Sequence, residues 1–140
     1  MIRTTVVYFV CLVAVTICEN DTDKQVIINF RDILGKYKDE CLKKSKAKIE
    51  LVDELILDVH FPENEELKCF VECGLLKNKF MNEDFKLDIN VLKHALRNQS
   101  IPVIDEIGDK CENVGGGRSC AKAYNTLRCV YHVLKTKIDH

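Results

Sequence analysis

Apolar residues recur at intervals of three and four along most of the chain after residue 25. Val26, Phe30, Ile33, Tyr37 and Cys41 form one stripe, with Ile27 and Leu34 beside it. Such spacing puts side chains on one face of a helix, so a first helix is expected through these positions. Val52, Leu55, Ile56 and Val59 define a second. Leu67, Phe70, Val71 and Leu75 define a third, which follows Pro62 and takes Asn64 as its N-cap. Asp88 caps a fourth, with Leu87 and Leu92 at the two ends of a hydrophobic staple. Its buried face is Val91, Leu92 and Ala95. Pro102 suits the first turn of a fifth helix carrying Val103, Ile107 and Cys111. Ser119 caps the last, which carries Ala123, Tyr124, Leu127, Tyr131 and Leu134. No sustained alternation and no Asn-Gly turn marks a strand. The pattern predicts an all-α fold of about six helices joined by short loops, without internal repeats or low-complexity linkers.

The first residues read differently. One positive charge, Arg3, precedes a charge-free run from Val6 to Cys18, and Glu19 ends it. The run falls short of the roughly 20 residues a bilayer span needs. A short basic start followed by a short apolar run has the form of a secretory signal peptide. Thr16 and Cys18 stand at the −3 and −1 positions of a cleavage after Cys18, so residues 1–18 are expected to be the signal and 19–140 one helical domain. Without the signal the chain keeps 20 basic and 22 acidic residues, a net charge of −2. That balance gives no electrostatic basis for binding nucleic acid or anionic lipid. The one basic cluster, Lys43 to Lys48, reads as a solvated helix end, and no second run is long enough to span a membrane.

Secretion decides how the cysteines are read. Of eight, Cys11 and Cys18 leave with the signal, and Cys41, Cys69, Cys73, Cys111, Cys120 and Cys129 remain. An even set in a small domain bound for an oxidising compartment reads as three disulfides. There is no CxxC for a zinc knuckle or a redox site, and no HExxH. Six cysteines allow 15 pairings. Cys69 and Cys73 are one helical turn apart and crowd one face, so each should reach a different partner. Cys120 and Cys129 are nine apart, which at 100° per residue puts them on opposite sides of the last helix.

No catalytic constellation emerges. His60, His94, His132 and His140 lie in no metal-ligand or nucleophile motif. Val114-Gly115-Gly116-Gly117 lacks the Gly-Lys-Ser/Thr of a phosphate loop and comes too late for the calcium loop of a secreted phospholipase. It reads as a flexible turn before the last helix. Neither an enzyme nor a cofactor is implied. Asn20-Asp21-Thr22 and Asn98-Gln99-Ser100 are glycosylation sequons in the expected secreted part.

The cysteine spacing, C-x27-C-x3-C-x37-C-x8-C-x8-C, and the segment "CAKAYNTLRC" with Ala123 and Tyr124 resemble the insect odorant-binding protein family, the pheromone and general odorant-binding group. The resemblance runs from the first helix to the last. It implies the pairings Cys41–Cys73, Cys69–Cys120 and Cys111–Cys129, and helices held apart around an apolar cavity. It also implies a secreted carrier of small hydrophobic ligands of odorant or pheromone type, with a membrane receptor or a second copy in a homodimer as protein partner. Residues on the inner faces are then the ligand-binding candidates. These are Phe30, Ile33, Leu34 and Tyr37 from the first helix, and Leu55, Ile56 and Val59 from the second. Leu76 and Phe80 follow from the third, and Val91, Leu92 and Ala95 from the fourth. Val103 and Ile107 come from the fifth, and Tyr124, Leu127, Tyr131 and Leu134 from the last. Tyr124 and Tyr131 are the polar anchors, because a buried hydroxyl needs a partner. The segment after Cys129 either extends the helix or folds over the cavity as a lid. His60, His94 and His132 are the groups that would sense acidification. A second reading keeps the scaffold in a venom, saliva or reproductive fluid, as a scavenger or a surface-acting protein.

Overall fold

The computed structural model describes residues 31–96, 101–115 and 119–138. Residues 31–35 are helical and precede six helices: α1 (Lys38–Ser45), α2 (Ile49–Asp58), α3 (Glu65–Lys77), α4 (Ile89–Ala95), α5 (Ile101–Cys111) and α6 (Ser119–Ile138). Among the described residues the only extended pairing is one antiparallel bridge, Met81 to Leu87. The fold is all-α, as the periodicity predicts. The expected signal peptide, Phe30 and both sequons lie outside the described residues.

Local chemistry sets the helix ends. Asn64 Oδ1 accepts from the Leu67 N–H at 2.9 Å, and Glu65 and Glu66 stand in the first turn of α3, where acidic groups favour the helix dipole. Asp88 caps α4 through the N–H groups of Asn90 and Val91, and Leu87 and Leu92 are both buried, as a hydrophobic staple requires. Pro102 lies in the first turn of α5. Ser119 is already helical, the first residue of α6.

The first predicted helix is interrupted. Helical residues 31–35 give way to a turn at 36–37 before α1 begins. Gly35 stands at the break, and glycine is the weakest helix former after proline. Periodicity misses this break because Ile33, Leu34, Tyr37 and Cys41 keep facing inward across it: Leu34 and Cys41 are buried, and Ile33 and Tyr37 pack against the core. At the other end, the segment after Cys129 continues α6 to Ile138, with Val133 and Leu134 in the core.

α3 and α6 form the central pair. α1 packs on α3, α5 on α6, α4 on α5, and α2 more lightly on α3. Phe70, Leu67, Val71, Val52, Ile104, Ile107 and Tyr124 are buried between them. Three disulfides lock this arrangement: Cys41–Cys73 joins α1 to α3, Cys69–Cys120 joins α3 to α6, and Cys111–Cys129 joins α5 to α6. Cys69 and Cys73 do part to different helices, and α6 is held from opposite sides. The pairing is the one the family resemblance implies.

The bridges span 32, 51 and 18 residues. Loop-entropy reasoning puts the effect of each at about 3–4 kcal/mol. Replacing Cys69 and Cys120 together with serine, which opens the longest loop, is expected to cost most. Urea unfolding should show a loss of about 4 kcal/mol, and a loss under 1 kcal/mol would mean that this bridge does not hold the central helix pair.

Candidate ligand-binding site

Two adjoining spaces occur where residues 31–35, the end of α3 and α4 meet. The first is an open groove of about 830 Å³, lined by Arg31, Asp32, Ile33, Gly35, Lys36, Asn78, Phe80, Val91, His94 and Ala95. The second, among more deeply buried side chains, is a small gap of about 20 Å³. Its walls are Ile33, Leu34, Leu75, Phe80, Leu87, Leu92, Thr126, Leu127 and Val130.

The walls are set by the way α3 ends. Lys79 adopts a left-handed conformation, φ 60°. The Phe80 N–H then reaches the Leu75 carbonyl at 3.0 Å and the Lys79 N–H reaches that of Leu76 at 3.1 Å. This is a Schellman motif, in which the residue after the turn packs back on the last helical turn. It brings Phe80 and Leu75 together on the wall of the gap. Asn78 donates through Nδ2 to the carbonyls of Ile33 at 3.1 Å and Gly74 at 2.8 Å, fixing residues 31–35 against α3. Arg31 Nη2 donates to the Leu57 carbonyl near the end of α2, while its buried Nε has no partner among the described residues. Asn82 closes the next turn, its side chain accepting from the N–H groups of Asp84 and Lys86, each at 3.0 Å. That turn carries the chain through the Met81–Leu87 bridge into α4.

Of the candidate residues, Ile33 and Phe80 line both spaces, Val91 and Ala95 the groove, and Leu34, Leu92 and Leu127 the gap. Leu55, Ile56, Ile107 and Leu134 are buried and line neither. Tyr37, Leu76, Val103 and Tyr131 are half-buried and line neither. Val59 is not helical: it follows α2 in a left-handed conformation, φ 51°. Leu75, Leu87, Thr126 and Val130 on the gap, and Arg31, Asn78 and His94 on the groove, were not anticipated as wall residues. Thr126 and Val130 share the inward stripe of Ala123 and Leu127 on α6, which is the signal that would have found them.

Tyr124 does something other than face either space. It is fully buried, and its hydroxyl donates to the Pro62 carbonyl at 2.6 Å. Phe61 meets its ring edge-on at 5.7 Å between centroids and also lies 5.7 Å from Tyr131. Glu63 pairs with Lys68 at 2.9 Å and with Arg128 at 3.6 Å. The Arg128 guanidinium stands 5.7 Å from the Tyr124 ring centre. The loop between α2 and α3 is thus clasped onto α6. Burial, and then the negative charge of Glu63, push the Tyr124 hydroxyl up to about 12. The Lys68 ammonium, by hydrogen bond and charge, holds the Glu63 carboxyl below the usual range, with Arg128 adding to it.

The described helices form a disulfide-locked set with a small carbon-lined gap beside an open groove; no group of three or more metal-ligating side chains occurs among the described residues. Residues 23–133 match the model of the PBP/GOBP family, and the chain belongs to that family of odorant-binding proteins. General odorant-binding protein 69a of Drosophila melanogaster is 22% identical over 94 residues, 67% of this chain and 64% of that protein, so the match spans a little under two thirds of the relative's length. The crystal structure of the medfly odorant binding protein CcapOBP22/CcapOBP69a shares the fold, with a TM-score of 0.58 and 24% identity over 76% of this chain and 95% of that one.

The clasp is testable through Tyr124. Its folded-state value lies above the ordinary 10, so its contribution to stability is complete below pH 10 and is lost as pH rises towards 12. Thermal melts of the wild-type protein should fall across that window, and Tyr124→Phe should flatten the fall. At neutral pH the same change leaves the Pro62 carbonyl without its donor and should cost about 1–2 kcal/mol. An identical alkaline profile in the two proteins would mean that the phenol is not held as described.

Proposed function

We propose that the protein is a secreted, soluble carrier that sequesters small hydrophobic molecules of odorant or pheromone type, with the groove and the gap beneath it as the binding site. The observation that carries this reading is the juxtaposition of an open groove and a carbon-lined gap at one place in a disulfide-held frame. Membership of the odorant-binding family supports it. Among the described residues no helix is long and apolar enough to cross a membrane, which fits a carrier whose signal is removed on export. A membrane receptor or a second copy of the chain belongs to the same reading as a partner.

The energetics suit reversible capture. Burying roughly 200–300 Å² of apolar ligand surface at about 25 cal/mol per Å² offers some 5–7 kcal/mol before ordering costs. That corresponds to micromolar to millimolar binding, adequate to carry a sparingly soluble molecule and release it. Of the candidate residues, Ile33, Leu34, Phe80, Val91, Leu92, Ala95 and Leu127 are the proposed ligand contacts.

The oxidised protein should take up N-phenyl-1-naphthylamine saturably at one site with micromolar affinity. Volatile alcohols, esters or fatty acids should displace the dye, and reduction of the disulfides should abolish uptake. The chain has no tryptophan, so dye emission rather than intrinsic quenching is the readout. A folded, oxidised sample with no saturable uptake would overturn the carrier reading.

A further inference from the structure

The groove and the gap differ in chemistry, and two side chains stand between them. Ile33 and Phe80 line both spaces. The strongly polar side chains (Arg31, Asp32, Lys36, Asn78 and His94) all lie on the groove side. The gap presents only carbon to its interior. Its one polar side chain, Thr126, donates its hydroxyl to the Lys122 carbonyl of its own helix at 2.8 Å.

The backbone of the partition is fixed on both sides of Phe80. The Phe80 N–H is held by the Leu75 carbonyl, and the Phe80 carbonyl accepts from the Asp88 N–H at 2.7 Å. A gap of about 20 Å³ has room for about one water-sized probe. An alkyl chain needs more room than that, which a swing of the Phe80 ring would supply by joining the gap to the groove.

Building on the carrier reading, we propose that the ligand is a single-headed linear amphiphile, and that Phe80 sets the length of tail it accepts. The polar end stays in the groove, among side chains able to donate and accept. The apolar tail passes between Ile33 and Phe80 towards Leu75 and Leu127. A second polar group at the tail end would enter a space with no hydrogen-bond partner and would lose its water without replacement. A one-headed chain is therefore accepted and a two-headed chain of the same length rejected.

The test is displacement of N-phenyl-1-naphthylamine from the oxidised protein by 1-alkanols of increasing length and by matched α,ω-diols. Affinity for the alkanols should rise about fourfold per methylene up to a limiting length and then level off. Each diol should bind more weakly than its alkanol by roughly five- to a hundredfold. Phe80→Ala should move the limit to longer chains. Phe80→Leu should do the same to a smaller degree, and it keeps an apolar side chain on the wall should the alanine variant fail to fold. Phe80→Trp should shorten the limit, and it places the chain's only tryptophan on the wall as a direct reporter of the passing tail. An unchanged length profile across the folded variants, or diols binding as well as alkanols while the dye still binds, would overturn the proposal and leave the carrier reading standing. Absence of dye and alkanol binding in folded wild-type protein would overturn both.

Discussion

Cys69 and Cys73 stand one turn apart on α3, and the rest of the structure depends on where their bonds go. Side chains at that spacing leave a helix from the same face, yet one reaches α1 and the other α6. α3 therefore cannot shift along either neighbour without straining a covalent bond. Cys129, half-way round α6 from Cys120, extends the constraint to α5. Four helices become one frame, and the frame does not rely on dense packing alone. This matters for a chain in which a wall of the proposed site is built from residues that pack incompletely.

The loop between α2 and α3 shows how the frame is used. Val59 sits in the left-handed region at φ 51°, a conformation that a β-branched residue adopts only at a cost of order 1–3 kcal/mol. The strain turns the chain sharply enough for Phe61 and Pro62 to meet Tyr124. Three weaker interactions offset it: the phenol hydrogen bond, the ring contacts, and the Glu63 pairs with Lys68 and Arg128. Glu63 is exposed to water, so its ion pairs contribute little singly. The buried hydroxyl is the specific part, since its donor has one acceptor, the Pro62 carbonyl.

Much of this was legible in the residues. Asn64 and Asp88 act as caps because their side chains are the right length to reach the free N–H groups of the next turn. Leu87 and Leu92 form their staple for the same local reason. The parting of Cys69 and Cys73 follows from 100° per residue, and the family pattern supplied the partners. Features fixed by backbone conformation were not legible. Nothing in the spacing of Ile33, Tyr37 and Cys41 reveals the turn at 36–37, because the inward phase survives it. Leu76 was expected on the wall where Leu75 stands, because the wall is made by the left-handed Lys79 folding Phe80 back onto α3. Tyr124 is expected as a polar anchor of the site, yet its buried hydroxyl donates to the Pro62 carbonyl, 62 residues away in sequence, which no local pattern announces.

The six bonded cysteines are on α1, α3, α5 and α6, whereas the groove is walled by residues 31–36, the turn after α3, and α4. The groove side of the proposed site thus lies apart from the covalent staples, while the gap beneath it leans on α3 and α6. If the proposed site is the binding site, a substitution at Ile33, Phe80 or Val91 alters what it fits without touching a covalent staple. Such a scaffold can diversify its cargo by changing a few wall residues, while duplicated copies inherit an intact architecture and need not rediscover how to fold.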